Sequence, residues 1–256
     1  MKIRKAFLPG IGFLSALLIA GPAQAATVVL HPTADTTLQE AFSGDNYGDG
    51  TSFTAGGRRQ GGRTRGLLLF DIAGNIPSGS TISSVSLTLS VVGVPSGGIN
   101  STFDLNRLSA SWGEGNGSDH GGSLAGPGQA TWINRFGTSG SPWATPGGDF
   151  SSTASASRLI TGFGNFTFSS TAGLVADVQG WLNTPSTDFG WLLRSESEAT
   201  ATTIRRFGSR DSGTTAPTLT ITYTPVPEPA VSAILGVGSG VLFLWLKGKR
   251  LKAAAR

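Results

Sequence analysis

The chain reads as all-β, a sandwich or barrel of short strands with one short helix. Three observations carry this. Glycine supplies 38 of the 256 residues, about 15% against a usual 7%. Charged residues are 13%, about half the usual share. Short apolar runs, several alternating with a period of two, are separated by Ser, Thr and Gly. There is no cysteine, so no disulfide, thiolate metal site or cysteine nucleophile can form, and stability must come from a hydrophobic core.

The elements follow in order. Lys2, Arg4 and Lys5, the apolar run Phe7–Ala20 and the small residues Ala23-Gln24-Ala25 fit a secretory signal peptide over residues 1–25. The run is too short for a permanent anchor. Thr27–Leu30 and Ser52–Ala55 are candidate strands. In Arg65–Asp71 the residues Leu67, Leu68, Leu69 and Phe70 are continuous, as in a strand covered on both faces. Ser84–Val91 alternates strictly: Val85, Leu87, Leu89 and Val91 share one face, and serines and a threonine the other. Thr102–Leu108, Asn165–Phe168, Asp188–Arg194 and Thr202–Phe207 are further candidates. Thr218–Tyr223 repeats the alternation with Leu219, Ile221 and Tyr223 inward.

Two stretches differ. Leu174, Val175, Val178, Trp181 and Leu182 have helical spacing, with Ser170 or Thr171 as cap and Pro185 beyond the end. This predicts a short helix packed against one end of the sandwich. Trp112 to Ser157 is long and rich in Gly, Ser and Pro, yet it holds Trp112, Trp132 and Trp143. Loops of that length are functional or disordered, and three tryptophans argue against disorder.

After the body, over residues 225–256, Val226-Pro227-Glu228-Pro229-Ala230 precedes an apolar run to Leu246 and the cations Lys247, Lys249, Arg250, Lys252 and Arg256. The run has the length of a short transmembrane helix, Trp245 sits at its interface, and the basic end is expected to stay cytoplasmic. This order of motif, span and positive cluster resembles the PEP-CTERM sorting tail. The resemblance implies export, transient inner-membrane anchoring, and processing near the sorting motif Pro227, Glu228 and Pro229 by an exosortase-type enzyme, after signal peptidase has acted at the other end. The destination would be the cell envelope or the extracellular space.

The two ends distort the bulk charge. The whole chain is +4, but every lysine lies in the ends. Between Ala26 and Thr224, 11 arginines face 14 carboxylates, a net −3. A mildly acidic body does not suit nucleic acid.

The body, residues 26–224, also carries ordered motifs. They include Ala34-Asp35-Thr36-Thr37-Leu38, Asn46-Tyr47-Gly48, Arg65 to Asp71, Ser111-Trp112-Gly113-Glu114, Ala130-Thr131-Trp132 and Val178-Gln179-Gly180-Trp181-Leu182. Phe189-Gly190-Trp191-Leu192-Leu193, Phe207-Gly208-Ser209-Arg210-Asp211 and Pro217-Thr218-Leu219 complete the set. In this order they resemble the DNRLRE domain family of exported carbohydrate-binding modules. The resemblance implies a two-sheet β-sandwich of jelly-roll type that binds polysaccharide, uronic-acid polymers such as alginate included. The chain departs at Asp211, where the family usually has Glu, and in a longer glycine-rich stretch between Glu114 and Trp132.

Candidate ligand-binding residues follow from residue chemistry. Arg58, Arg63 and Arg206 offer planar forks that meet carboxylates bidentately, which suits an acidic sugar. The competing reading pairs the arginines with Asp71, Glu196, Glu198 and Asp211, and for Arg65 that structural role is favoured. Tyr47 and Trp143 lie in glycine-rich context and could present flat faces to sugar C–H groups. Asp45, Asn46 and Asp49 form an oxygen-rich loop that suits structural Ca2+, against an ordinary Asx turn, which is favoured. No cofactor, metal site or catalytic residue is expected. His31 and His120 make no ligand pair, and no nucleophile elbow, zinc helix or phosphate loop is present.

The reading is an exported, non-catalytic polysaccharide-binding protein. Its rivals are a structural or adhesive matrix protein without a specific glycan site and, behind that, a polysaccharide lyase or hydrolase.

Overall fold

The structure is a computed structural model that describes residues 24–226, apart from 119–120 and 138–139. The signal peptide, sorting motif and apolar tail lie outside the described residues. Among those described, no helix is long and apolar enough to cross a membrane.

The fold is mostly β, with strand over 40%. The strands are β1 (Ala26–Leu30), β2 (Ala34–Gln39), β3 (Asp45–Asn46), β4 (Ser52–Gly57), β5 (Arg63–Leu69), β6 (Thr81–Gly93) and β7 (Ser101–Arg107). They continue as β8 (Ser123–Leu124), β9 (Ala156–Ile160), β10 (Gly164–Phe168), β11 (Trp191–Ser195), β12 (Arg205–Gly208) and β13 (Thr218–Thr224). Eleven strands form one curled antiparallel sheet, in the order β1-β13-β6-β12-β4-β5-β11-β7-β9, with β10 added on β6 and β2 on β5. β3 and β8 pair separately.

The curl is made at β4. Its first four residues pair with β12, and its last two, Gly56 and Gly57, pair with β5. Gly56 turns the corner at φ +115°, and a Cβ there would meet the backbone of Ile204. Two layers result, which makes the fold sandwich-like. Phe53, Phe207 and Phe103 meet between them, the first two stacked at 5.3 Å and the last edge-on at 5.7 Å.

The expected helix is α1 (Ala172–Asn183). Thr171 caps it, its hydroxyl accepting from the Leu174 amide at 3.1 Å. Its buried face, Leu174, Val178, Trp181 and Leu182, joins the main core, and Trp181 meets Trp191 edge-on at 4.6 Å.

The continuous Leu67–Phe70 run has the cause its pattern predicts. Leu68 and Phe70 point into the main core, whereas Leu67 points outward, into a second cluster with Leu38, Leu192, Trp112, Trp132 and Trp143. The segment between β7 and β9 supplies those three tryptophans. It covers the β2–β5–β11 part of the sheet.

Two five- to six-residue strands are absent from the sequence reading. β2 reads Ala-Asp-Thr-Thr-Leu-Gln and is buried although its residues are mostly polar, so no apolar alternation marks it. β9 is an edge strand with only Ala156 and Ile160 buried. Tyr223 is only partly inward, because the register with β6 shifts between Thr222 and Tyr223.

Candidate functional site

Alternation along β5 puts Arg63, Arg65 and Leu67 on the outward face. The second cluster covers Leu67 and stops short of the arginines. At its rim the guanidiniums interleave with rings. Arg63 and Arg65 lie 5.2 and 5.0 Å from Trp132; Arg65 and Arg194 lie 5.2 and 5.9 Å from Phe150. The order is Arg63, Trp132, Arg65, Phe150, Arg194.

Each arginine also holds a carboxylate. Arg63 Nε and Nη2 donate to Glu40 at 2.9 and 2.6 Å. Arg65 Nε and Nη2 donate to Glu198 at 3.0 and 2.6 Å, and its Nη1 donates to the Gly147 carbonyl at 2.8 Å. Arg194 reaches Asp104 and Asn106, both at 3.3 Å, and Ser157 donates to Asp104 at 2.6 Å. The Arg63 guanidinium holds the Glu40 carboxyl below its usual range.

Above this ladder runs a groove of about 750 Å3, lined by Glu40, Arg63, Trp132, Asp149, Phe150 and Ser109 among others. A depression of about 360 Å3 adjoins it across Ser109 and Phe150, and one of about 240 Å3 across Glu40 and Arg63. The three hollows thus lie side by side along this face.

The five residues proposed from sequence do not converge on this groove. Arg63 lines it. Arg58 lies at the neighbouring hollow, stacked 5.1 Å from Phe42. Arg206 is exposed on the other layer, where β12 pairs with β4 and β6, and lies across Gly93.

The expected exposure of Tyr47 and Trp143 is corrected: they are only 7% and 3% exposed. Tyr47 accepts from Gln39 Nε2 at 2.5 Å, and burial pushes its phenol pKa up. Trp143 donates to the Thr131 carbonyl at 2.9 Å from within the second cluster. For Trp143 the reason is the apolar cluster that surrounds it, and for Tyr47 it lies in a glycine. With no side chain at Gly122, backbone packs directly on the Tyr47 ring. Glycine-rich context here marks close approach, not openness.

Of the proposed arginine partners, Glu198 pairs with Arg65, and Asp211 lies 3.4 Å from Arg210. Asp71 caps a turn through the Gly74 amide at 2.8 Å. The Asp45–Asp49 loop is an Asx turn. Asn46, fully buried, accepts from Gly48 and Gly117 amides and donates to the Glu114 and Ala130 carbonyls. Among the described residues no group of three or more His, Asp or Glu side chains could hold a metal ion. Glu40, Phe150 and Arg194 were not singled out from sequence; only the i, i+2 pairing of Arg63 with Arg65 hinted at this face.

Three motif segments meet elsewhere. The Asp35 amide and Arg210 Nε both donate to Glu114, at 2.8 and 2.7 Å, and the Arg210 amide donates to Asp35 at 2.6 Å. Burial, helped by neighbouring Glu114, raises the Asp35 pKa to about 7. Burial also raises Glu114. Asp35 is only 3% exposed, and its bonds to Glu114 and Arg210 tie the three segments together.

No known family model matches the chain, and no curated protein matches it significantly. The DNRLRE and PEP-CTERM resemblances rest on the motif residues quoted above.

Proposed function

We propose that this chain is an exported, non-catalytic polysaccharide-binding protein. Its body would be a jelly-roll sandwich of the DNRLRE kind, and its tail would sort it to the envelope or matrix. The observation that carries this is the groove: three adjoining hollows along one sheet face, lined by the partly exposed Phe150 ring and by flat, hydrogen-bonding side chains. Sugars offer apolar C–H faces to rings and hydroxyls to such rims. The groove carboxylates Glu40 and Glu198 and neighbouring Asp104 are held by guanidiniums, which supports binding without chemistry.

Affinity gel electrophoresis of the full-length chain, with and without Ca2+, tests the reading. Ser109 is exposed and lines two of the hollows, so Ser109→Trp should abolish retention and leave the melting temperature unchanged. Retention equal to that of the parent would place the ligand elsewhere.

A second reading has its own observation. Arg63, Arg65 and Arg194 are all carboxylate-paired, as a purely structural spacer in the matrix would have them. Folded protein retained by no polysaccharide would favour it.

A further inference from the structure

We infer that the groove takes a neutral stretch of polysaccharide and turns uronate away; this rests on the polysaccharide-binding reading. Arginine without lysine suggests acidic sugars when residue type alone is considered. The pairing points the other way.

A guanidinium grips a carboxylate with two parallel bonds along its Nε/Nη2 edge or its Nη1/Nη2 edge. The Nε/Nη2 edge is filled in Arg63 by Glu40 and in Arg65 by Glu198. Arg65 Nη1 is filled as well, by Gly147. Arg194 is turned to Asp104 and Asn106. Three positive charges on this face therefore meet Glu40, Glu198 and Asp104, and Asp149 adds a fourth negative charge at the groove's lip. Arg58 and Arg107, which line the adjoining hollows, add two positive charges, and Asp177, 3.9 Å from Arg107, adds one negative, so the face is balanced and its field does not draw an anion in.

A uronate carboxylate could reach the Nε/Nη2 edges of Arg63 and Arg65 only by displacing Glu40 or Glu198, which would leave a protein carboxylate unpaired and, for Glu198, largely buried. At the open Nη1/Nη2 edge of Arg63 it would lie against the Glu40 carboxylate that shares Nη2, like charge beside like. A sugar hydroxyl meets no such obstacle. It can donate to a lone pair that a paired carboxylate still has, or accept from a remaining N–H, without separating any charge. Phe150, partly exposed between Arg65 and Arg194, leaves room for a C–H face beside these groups.

Glu40 is the accessible gatekeeper, since its pair with Arg63 is 35–39% exposed whereas the Arg65–Glu198 pair is 7–10% exposed. The test uses full-length protein carrying Arg58→Ala and Arg206→Ala, which remove the guanidinium of the adjoining hollow, held by no carboxylate among the described residues, and the exposed one on the opposite layer. Gels contain hydroxyethylcellulose, galactomannan, alginate or polygalacturonate, at low and high salt. The expected result is retention by a neutral polymer, insensitive to salt, and none by either polyuronate. Adding Glu40→Gln frees Arg63 and should raise polyuronate retention about tenfold or more, the strength of one charge-assisted contact, with the gain lost at high salt. Polyuronate retention without Glu40→Gln overturns the inference while leaving polysaccharide binding intact. So does a Glu40→Gln protein that gains nothing. Folded protein retained by none of the four polymers removes the binding reading itself.

Discussion

Replacing Glu198 by Leu should be among the most damaging single changes on the grooved face. Glu198 and Arg65 keep only 10% and 7% of their side chains exposed, and their bonds measure 2.6 and 3.0 Å. Leucine removes the carboxylate and leaves Arg65 charged between Trp132 and Phe150. Its one remaining acceptor is the Gly147 carbonyl at 2.8 Å. Breaking one side of such a buried pair costs about 3–5 kcal/mol. In a domain of this size that lowers the melting temperature by roughly 6–20 °C. Arg65→Met with Glu198→Leu removes both charges, and the double variant should recover most of the loss, to within about 1–2 kcal/mol of the parent. Arg63→Met provides the contrast on the same strand: its pair with Glu40 is 35–39% exposed and should contribute less than about 1 kcal/mol, diminished further by salt. Urea melts of the four proteins at two salt concentrations decide the matter. If Glu198→Leu costs no more than Arg63→Met, the buried-pair reasoning is wrong.

Stability should also depend on pH through Asp35 and Asp188, whose pKa values burial raises from 3.8 to about 7. The folded state then holds protons that the unfolded state has lost, so stability falls as pH rises from about 4 to about 7, by up to about 4 kcal/mol for each group. Urea midpoints at pH 5 and 8 should differ, and Asp35→Asn should shrink the difference; an unchanged slope would refute this. Thr171→Ala removes the α1 cap, and with it the hydroxyl's 2.5 Å bond to the Ser155 carbonyl, for about 1 kcal/mol and roughly 2–4 °C in a thermal scan. Gly190→Ala should cost at least 1–3 kcal/mol, because φ is +77° and the new Cβ would meet the Leu68 carbonyl just where β11 joins β5. A chain that melts unchanged with alanine there would contradict the described entry into β11.

The sequence was most legible where burial follows a simple period. Ser84–Val91 and the helical spacing of Leu174 to Leu182 each depend on neighbours a few positions away, and both elements form as expected. The unbroken run Leu67–Phe70 even announced a sheet covered on both faces. β2 was illegible because its buried residues are polar: Asp35 and Thr37 accept from the Arg210 and Thr54 amides, and the Thr36 hydroxyl is buried by packing without a partner. The site was less legible still. Arg65 meets a carboxylate 133 positions away, and Phe150 reaches the ladder only because the long segment after β7 folds back over the sheet. No local pattern encodes a pairing at that distance. Tyr47 misled for a related reason: the glycine near it reports freedom of the backbone, and that freedom was used to bury the ring, whereas Trp143 is buried by the distant side chains of the second cluster.

The choice of arginine over lysine in the body has a packing explanation that needs no anionic ligand. The outward leucines of β2, β5 and β11 require a cover, and the tryptophan-bearing segment supplies it. The cover ends at Arg63, Arg65 and Arg194, where the sheet must pass from apolar contact to water. A guanidinium can lie flat on a ring with one surface while its edge bonds a carboxylate in its own plane. Arg65 does both, with Trp132 and Phe150 at 5.0 and 5.2 Å and Glu198 along its edge. Lysine offers a point charge and no plane, so it could satisfy the carboxylate or cover the ring, not both at once. The same ladder that seals the second core also floors the groove. Its charge is already spoken for before any ligand arrives, which is why the arginine count alone is a poor guide to what the groove binds.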